Sequence, residues 1–312
     1  MVQNATPKIK FFYLAHGVMS LHCLKGLIKN GRIPEFTVIH ENRDREKLDS
    51  KFFFPLIEYC DLNGIRIFKV KKLNELKSEI SECNLGVCCG FMEIIKKDVY
   101  SLPEFGILNL HCGKLPEYRG RAPISRTIMN GDESLIISVH RIDDGVDSGD
   151  LLIEKKLRIE LTDDVNTLYE KCALISGEIF CEAICELETG ECNYHPQSGS
   201  SFIAGKLLSE DERLIKWSAG VKKSYDKMRA LYTPYPQSFF DFKGKRYFIN
   251  RAGLVKVNTK KSDFAEVTEV NDNFIRLALA DGEILIFELN DINRKEISLL
   301  NEFKTGEKFY DN

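Results

Sequence analysis

The chain has 312 residues and a mass of 35.7 kDa, more than one ordinary hydrophobic core organises, so we expect a larger and a smaller domain. Hydrophobic residues make up 43% and charged residues 29% of the chain, which excludes collagen-like, coiled-coil and wholly disordered proteins. The net charge of −3, from 44 basic and 47 acidic residues, argues against a strongly basic nucleic-acid binder.

The ten cysteines are scattered and include no Cys-x-x-Cys pair. Some lie in apolar stretches, as Cys88 and Cys89 do, which is typical of buried thiols in a reducing compartment rather than of disulfides or a zinc site. The sequence contains no apolar run of about 18 residues and no signal-peptide pattern. We therefore expect a cytoplasmic protein with no membrane span and no metal.

Strands and helices alternate along the first part of the chain. The predicted strands are apolar runs at residues 9–15, 36–40, 65–70 and 85–89. The predicted helices have apolar residues every three to four positions, at residues 19–29, 51–63 and 73–82. Near-continuous apolar strands separated by helices indicate a mostly parallel sheet covered on both faces. The functional loops of such a sheet follow the carboxyl ends of its strands.

The pattern becomes less regular after residue 100. Further strands are predicted at residues 106–111, 135–141 and 151–159, and further helices at 122–130 and 162–187. Thr162 is the predicted N-cap of the longest helix.

The composition becomes polar and rich in glycine and serine after residue 189, and short strands follow a helical stretch at 218–231. The predicted later strands are at residues 238–242, 246–250, 253–257, 274–278 and 284–289. We expect an α/β fold with a Rossmann-like, mostly parallel sheet, plus a small C-terminal OB-like β-barrel. The predicted limits are 1–190 for the first domain, 191–206 for a linker and 207–312 for the second domain.

Polar side chains suited to acyl transfer collect near the end of the strand at 106–111. Asn109 and His111 stand at positions i and i+2, which places them on one side of the strand, and Asp147 lies in a glycine-rich loop. An attacking amine needs a proton acceptor, and the oxygen of the acyl group needs hydrogen-bond donors. Asparagine supplies a neutral donor, histidine acts as acid, base or donor, and aspartate tunes the histidine.

The residues alone leave a structural interpretation open. Asn109 and His111 can be satisfied structural residues at a strand end, and Asp147 can form an Asx-turn. The signatures GxGxxG, GxxxxGKS, GxSxG and HExxH are absent from the sequence, so the common nucleotide, hydrolase and zinc-protease patterns give no support to another activity.

Longer stretches of the sequence carry a family resemblance. GILNLHCGKLPEYRGRAP, followed by VHRIDDGVDSGDLL, resembles the signature of the 10-formyltetrahydrofolate-dependent formyltransferases. KWSAGVKKSYDKMRALYTPYPQSFF is similar to the start of the C-terminal domain of methionyl-tRNA formyltransferase and of the aminoarabinose formyltransferase domain. The resemblance spans roughly residues 8–310.

This resemblance implies an enzyme with a catalytic trio of Asn109, His111 and Asp147 and with 10-formyltetrahydrofolate as formyl donor. Asn109 and His111 would stabilise the oxyanion, and Asp147 would set the charge of His111 or accept the amine proton. The implied donor site lies in two loops, with Gly90, Phe91, Met92 and Ile94 in one and Ile142, Asp143, Asp144 and Gly145 in the other. Phe91 and Ile94 have core packing as their alternative interpretation.

The acceptor is the open part of this interpretation. Glycinamide ribonucleotide enzymes of the family lack the C-terminal domain, which leaves an aminoacyl-tRNA or a nucleotide-linked amino sugar. The tRNA enzymes carry a loop rich in proline, glycine and arginine after the second strand, whereas HENRDREKLDSKFFFPL stands here. The family's Ser-Leu-Leu-Pro motif is Gly-Lys-Leu-Pro in this chain, a departure that fits less well with the tRNA branch. Residues 200–312 hold 19 basic against 17 acidic residues, a net of only +2, whereas phosphate binding favours a clearly basic surface.

We therefore expect a nucleotide-linked amino sugar as the partner. The loop KLPEYRGRAP is similar to that of the aminoarabinose formyltransferase domain, and guanidinium groups pair well with phosphate oxygens. The predicted acceptor contacts are His16, Gly113, Lys114, Tyr118, Arg119 and Arg121. For the two arginines a solvated loop, and for His16 a structural role, are the alternatives.

Two other functions stay open from the sequence. A complete C-terminal domain and the cluster of Lys222, Lys223, Lys227 and Arg229 favour methionyl-tRNA formylation, although these side chains can also form a solvated face. A non-catalytic OB-type nucleic-acid-binding module ranks last, because the sequence shows no evident stripe of aromatic and basic residues. An oligomer is compatible with all of these interpretations.

Overall fold

The computed structural model describes residues 8–41, 55–201, 207–257 and 264–311. The described chain forms two compact units. The first unit takes residues up to 123 together with 135–157 and those from 169 to 205, and the second takes 124–134, 158–168 and those from 206 onward. The predicted linker at 191–206 stays a prediction, and residues 202–206 lie outside the described part of the chain.

The first unit is built on a seven-stranded sheet with the order β3-β2-β1-β4-β5-β6-β7. Its strands are β1 Phe11–Ala15, β2 Phe36–His40, β3 Arg66–Val70, β4 Leu85–Cys89, β5 Ile107–His111, β6 Ser134–Arg141 and β7 Leu151–Arg158. The first five strands pair in parallel, and β6 runs antiparallel to β5. β1 and β4 are buried along their whole length, as expected of central strands covered on both faces.

The helices largely follow the apolar periodicity, with differences at their ends. They are α1 Gly17–Lys29, α2 at 55–62, α3 Lys77–Ser81, α4 Lys97–Tyr100, α5 Pro123–Asn130, α6 Val165–Thr189, α7 Glu210–Arg213, α8 Val221–Arg229 and α9 Leu299–Glu302. The predicted cap at Thr162 is wrong. Asp164 Oδ1 instead accepts from the backbone N–H groups of Asn166 (2.8 Å) and Thr167 (2.9 Å) in the first turn of α6. Within the described ranges, no helix is both long and apolar enough to span a bilayer.

The second unit contains a six-stranded antiparallel, barrel-like sheet with the order β13-β10-β11-β12-β9-β8. Its strands are β8 Phe239–Phe242, β9 Lys245–Val257, β10 Phe264–Val270, β11 Ile275–Leu279, β12 Gly282–Asn290 and β13 Lys308–Tyr310. The two strands predicted at 246–250 and 253–257 are one continuous strand, and β10 and β13 were not predicted. The fold class predicted from the sequence is confirmed.

Aromatic side chains fill the core of the second unit. Phe240 stacks on Phe309 with 5.0 Å between ring centroids, and Trp217 and Phe303 pack around this pair. All four are almost completely buried. Aromatic pairs in such offset and edge contacts add to the stabilisation that burial of their area provides.

The second unit also holds an ion-pair cluster on α8. Asp226 lies 2.8 Å from the Arg229 guanidinium and 2.7 Å from Lys222 Nζ. Arg229 Nη1 also donates to the backbone carbonyls of Glu160 (2.9 Å) and Asp163 (2.5 Å). The two buried charges, on Asp226 and Arg229, are therefore both compensated by partners at short range.

Candidate active site

Strand pairing brings the three predicted catalytic residues together. Asn109 and His111 lie on β5, and Asp147 lies in the loop between β6 and β7, where its φ of 48° is in the left-handed region. Asn109 Nδ2 is 3.4 Å from Asp147 Oδ1, and His111 Nδ1 is 3.5 Å from Asp147 Oδ2. Residues from one strand and one loop thus converge at the carboxyl end of β5.

The hydrogen bond of His111 assigns its neutral tautomer. His111 Nε2 is 2.7 Å from the backbone carbonyl of Tyr118, and because a carbonyl can only accept, Nε2 carries the hydrogen. In the neutral ring Nδ1 is therefore unprotonated, and it faces Asp147. Burial lowers the pKa of His111 below its usual value, although the negative charge of Asp147 partly opposes this shift. Neutral His111 can accept a proton on Nδ1.

Asp147 is held as a carboxylate. Burial by itself would raise its pKa, but the side-chain contact with His140, the positive charge that His111 and His140 carry when protonated, and the N–H of Gly120 donated to Oδ2 at 2.9 Å lower it to about 2. The charge of Asp147 would stabilise a proton taken up by His111, which makes the pair a competent proton acceptor.

His140 is a site residue that sequence reasoning missed. It lies opposite Asn109 in the register of β5 and β6. His140 Nδ1 is 2.7 Å from the Arg141 carbonyl, so in the neutral ring Nδ1 donates there and Nε2 accepts from Asn109 Nδ2 at 3.1 Å. This bond orients the Asn109 amide with its N–H groups towards the site. The sequence signal for His140 is its place as the second polar residue of LIISVHR, seven residues before Asp147.

The loop after β5 is packed tightly against His111. A Cβ atom added to Gly113 would lie 3.1 Å from His111 Nε2, 3.0 Å from Tyr118 Cβ and 2.7 Å from Pro123 Cβ. Ser138 Oγ donates to the Gly113 carbonyl at 3.1 Å. Only glycine fits this position without displacing its neighbours. Tyr118 is buried and contributes its backbone carbonyl to His111.

The other predicted acceptor contacts take different positions. The Arg119 guanidinium turns towards the Asp147 carbonyl (3.1 Å from Nε) and towards Gln197. Lys114 is exposed and pairs with Glu117 at 2.5 Å, and Arg121 is exposed. His16 precedes α1, and its N–H donates to Ser20 Oγ at 2.7 Å. Their role in acceptor binding stays a prediction.

The first predicted donor loop follows β4, the neighbour of β5. Gly90 has a φ of 77°, and a Cβ atom there would lie 3.1 Å from the His16 carbonyl. Phe91 is partly buried against the core of the sheet, whereas the side chains of Met92 and Ile94 are 47% and 77% exposed. Of the two positions with a core alternative, Phe91 is thus partly in the core and Ile94 is on the surface.

The second predicted donor loop follows β6. Ile142 is partly buried against the core, and its N–H donates to the Ile107 carbonyl at 2.8 Å. Asp143 Oδ1 accepts from the Gly145 N–H (3.0 Å) and from Ser148 Oγ (2.5 Å), while Asp144 accepts from the Tyr100 hydroxyl at 2.8 Å. The two aspartates therefore shape the loop that carries Asp147.

A search for metal-binding groups covers the described parts of the chain only. There, no set of three or more His, Cys, Asp or Glu side chains is placed to hold a metal ion. The absence of a metal remains an expectation.

Two models of known protein families match the sequence of this chain. The family described as "Formyl transferase" matches residues 32–184, and "Formyl transferase, C-terminal domain" matches residues 207–306. The chain belongs to the formyl transferase family. The family assignment predicted from the sequence is thereby confirmed.

Relatives with similar sequences are named methionyl-tRNA formyltransferases. The one from Prochlorococcus marinus (strain MIT 9215) is 27% identical over 282 residues, which cover 86% of this chain and 84% of the relative. The one from Wigglesworthia glossinidia brevipalpis is 24% identical over 304 residues, covering 96% of this chain and 95% of the relative.

Solved structures with a similar fold include proteins named as sugar N-formyltransferases. An N-formyltransferase from Helicobacter canadensis, crystallised with folinic acid and dTDP-3-aminofucose, has a TM-score of 0.70 at 20% identity, covering 90% of this chain and 99% of that chain. WlaRD, a sugar 3N-formyl transferase crystallised with dTDP and 5-N-formyl-THF, has a TM-score of 0.68 at 19% identity, covering 91% and 98%. At these identities the likeness establishes the fold.

Proposed function

We propose that the protein transfers a formyl group from 10-formyltetrahydrofolate to the amine of a nucleotide-linked amino sugar. The transfer chemistry rests on one arrangement: a neutral histidine whose free nitrogen faces an ionised carboxylate, beside an oriented asparagine amide. Members of the same family bind folate derivatives in solved structures.

Each of the three residues has a role that its contacts support. His111 Nδ1 takes the proton that the amine loses as it attacks, and Asp147 stabilises the positive ring that results. As the bond between the formyl carbon and N10 of the donor breaks, the protonated His111 returns this proton to the leaving nitrogen, which releases tetrahydrofolate. Asn109 Nδ2 donates to the formyl oxygen as negative charge develops there. One of its two N–H groups is held by His140 at 3.1 Å, and the other has only a long contact of 3.4 Å to Asp147, which an incoming oxygen can replace.

The donor supplies the formyl group, and the loops after β4 and β6 have the chemistry to hold its pterin ring. Met92, Ile94 and Val146 leave about half or more of their side chains exposed in these loops. Apolar groups exposed beside a polar catalytic centre are typical of a small-molecule site. Val146 immediately precedes Asp147, so a ring placed against Val146 lies beside the catalytic carboxylate.

The charge arrangement of the second unit supports a small acceptor over tRNA. Ten of the sixteen described lysines and arginines at 207–311 lie within 4.0 Å of a carboxylate. In the basic cluster on α8, Lys222 pairs with Asp226, Lys227 Nζ donates to the Leu214 carbonyl, and Arg229 is buried. Internal partners therefore compete with phosphates for these cations.

The exposed arginine of the loop after β5 is the proposed anchor for the nucleotide. Arg121 lies two residues beyond Arg119 and one beyond Gly120, whose N–H contacts Asp147. A guanidinium group at this position can pair with diphosphate oxygens close to the catalytic carboxylate. Of the stretch at residues 40–56 that differs in sequence from the loop of the tRNA enzymes, positions 42–54 lie outside the described residues.

Methionyl-tRNA formylation is the second candidate, and the names of the sequence relatives favour it. Formyl transfer from 10-formyltetrahydrofolate to each member of a panel of nucleotide-linked amino sugars, and to Met-tRNA, separates the two. We expect a formylated sugar, with kcat/KM for that sugar at least about a hundredfold above that for Met-tRNA. Efficient formylation of Met-tRNA with no formylated sugar would reject the proposed acceptor. Arg121→Ala, with Arg158→Ala as an exposed control, should raise KM for the sugar.

A further inference from the structure

The chain beyond α6 returns to the sheet of the first unit. The His195 N–H donates to the Leu151 carbonyl and the Leu151 N–H to the His195 carbonyl, both at 2.8 Å. A Cβ atom added to Gly199 would lie 3.6 Å from Pro116 Cγ, so the segment also approaches the loop after β5. Residues 192–201, expected from their composition to be part of a linker, thus include a fixed contact next to the catalytic loops.

Gln197 uses its whole amide in this contact. Its Nε2 donates to the carbonyls of Asp147 (2.9 Å) and Gly149 (2.7 Å). Its Oε1 accepts from Arg119 Nε (2.9 Å) and from a terminal nitrogen of Arg119 (2.7 Å). Carbonyls only accept and a guanidinium only donates, so the partners themselves fix which end of the amide is nitrogen. This position therefore requires a side chain that has both a hydrogen-bond donor and a hydrogen-bond acceptor.

The hydrogen bonds of Gln197 act on the backbone of the catalytic carboxylate. Asp147 has a φ of 48°, a conformation that residues other than glycine adopt at a cost unless their surroundings hold them. Its carbonyl accepts from both Gln197 Nε2 (2.9 Å) and Arg119 Nε (3.1 Å). Its carboxylate accepts the N–H of Gly120, the residue that follows Arg119. The loop after β5 therefore contacts both the backbone carbonyl and the carboxylate of Asp147. Gln197 joins this loop, through Arg119, to the β6–β7 loop that carries Asp147.

We propose that Gln197 is a positioning residue for formyl transfer, which holds Asp147 against His111 by joining the Arg119 side chain to the Asp147 and Gly149 carbonyls. The inference rests on the proposed function, because it assigns Asp147 its role in that reaction. Gln197 makes no described contact with Asn109 or His111, so it acts through Asp147 and not on the reacting atoms.

Two variants distinguish the hydrogen bonds that the Gln197 amide donates from those that it accepts. Gln197→Ala removes all four hydrogen bonds, whereas Gln197→Glu keeps an oxygen for Arg119 but cannot donate to the two carbonyls while ionised. Ser198→Ala, at the exposed neighbouring position, is the matched control. We expect both Gln197 variants to lower kcat by about tenfold or more, with KM for donor and acceptor changed by less than about threefold. Ser198→Ala should match the wild type, and the urea midpoints of the variants should stay close to it.

The titration of His111 gives a readout that does not depend on activity. The groups that face its ring are Asp147 from the β6–β7 loop, His140 from β6 and the Tyr118 carbonyl from the loop after β5. The negative charge of Asp147 favours the protonated ring of His111. If Asp147 moves away in Gln197→Ala, this stabilisation is weaker, so the pKa of His111 should fall by about half a unit or more. NMR of the histidine side chains, with His111→Gln to assign the signal, measures this shift.

Measuring both kcat and the NMR titration of His111 distinguishes a failure of the proposed function from a failure of the positioning role. If the wild type formylates no acceptor, the proposed function fails, and the NMR titration still decides whether Gln197 positions Asp147. Normal kcat in Gln197→Ala, or a His111 titration identical to that of the wild type, would overturn the positioning role. Loss of kcat that parallels a lowered urea midpoint would also overturn it, since general destabilisation then explains the result.

Discussion

Two aspartates, one in each unit, are held in different ways. In the second unit Asp226 has a side chain only 1% exposed, and it contacts Arg229 at 2.8 Å and Lys222 at 2.7 Å. In the first unit Asp147 is 18% exposed, and its distances to His111 and His140 are both 3.5 Å. Its short contacts are with backbone groups, such as the Gly120 N–H at 2.9 Å.

The difference separates a structural carboxylate from the one that we propose to be catalytic. A buried ion pair is stable only when its charges are matched at close range, as they are around Asp226. A catalytic carboxylate must be fixed in place while its neighbours stay free to exchange protons and to accept a substrate atom. Asp147 meets this need because its backbone is held firmly and its side-chain contacts with the histidines are long. The following predictions test the contrast.

Asp226→Asn should cause the largest effect, and it should be on stability. The substitution leaves the buried Arg229 without its carboxylate, and breaking such a pair costs about 3–5 kcal/mol. Urea unfolding followed by circular dichroism measures the loss. Turnover per folded molecule should stay near that of the wild type. A normal urea midpoint would show that the cluster contributes little to folding.

Substitution in the first unit should affect turnover instead. Asn109→Ala, His111→Ala and Asp147→Asn should each lower kcat by at least about a hundredfold, as expected when a proton acceptor or an oxyanion donor is lost. Steady-state formyl transfer measures the effect, and urea unfolding should show a smaller destabilisation than in Asp226→Asn. Near-normal turnover in one of these variants would remove that residue from the catalytic trio.

The pH dependence should be the smallest effect. Burial is the main cause of the lowered pKa of His111, so activity that needs its neutral form should fall as pH drops through a value below about 6.5. In Asp147→Asn the negative charge that favours the protonated ring is gone, and the midpoint of kcat/KM in the residual activity should move to lower pH. An acid limb that stays in place would contradict the contact between the two residues.

The first sheet could be predicted well because its strands depend on simple apolar runs. The limits of β2 and β4 were predicted at 36–40 and 85–89, and both are confirmed. The barrel-like sheet was predicted less completely. Two strands are predicted at 246–250 and 253–257, but β9 continues through the gap between them, with register shifts in its pairing to β12 that the local sequence does not reveal. β13 is only three residues long, too short to carry a period.

In the candidate site too, residues marked by a local sequence pattern could be predicted, and residues that depend on contacts between distant parts of the chain could not. Asn109, His111 and Asp147 could be predicted because a family signature marks them, and the strand spacing places the first two side by side. Gln197 could not, because its polar surroundings resemble a linker and its partners lie about 50 and 78 positions earlier in the chain. His140 becomes a site residue only through the antiparallel register of β5 and β6.

The most direct test of the proposed function is a competition for one formyl donor. Wild-type protein is given limiting 10-formyltetrahydrofolate together with Met-tRNA and a mixture of nucleotide-linked amino sugars, and mass spectrometry identifies the formylated product. The account predicts a formylated nucleotide sugar, unformylated Met-tRNA, and no product above background with Asp147→Asn. Formyl-Met-tRNA as the sole product, or equal product from Asp147→Asn, would contradict it.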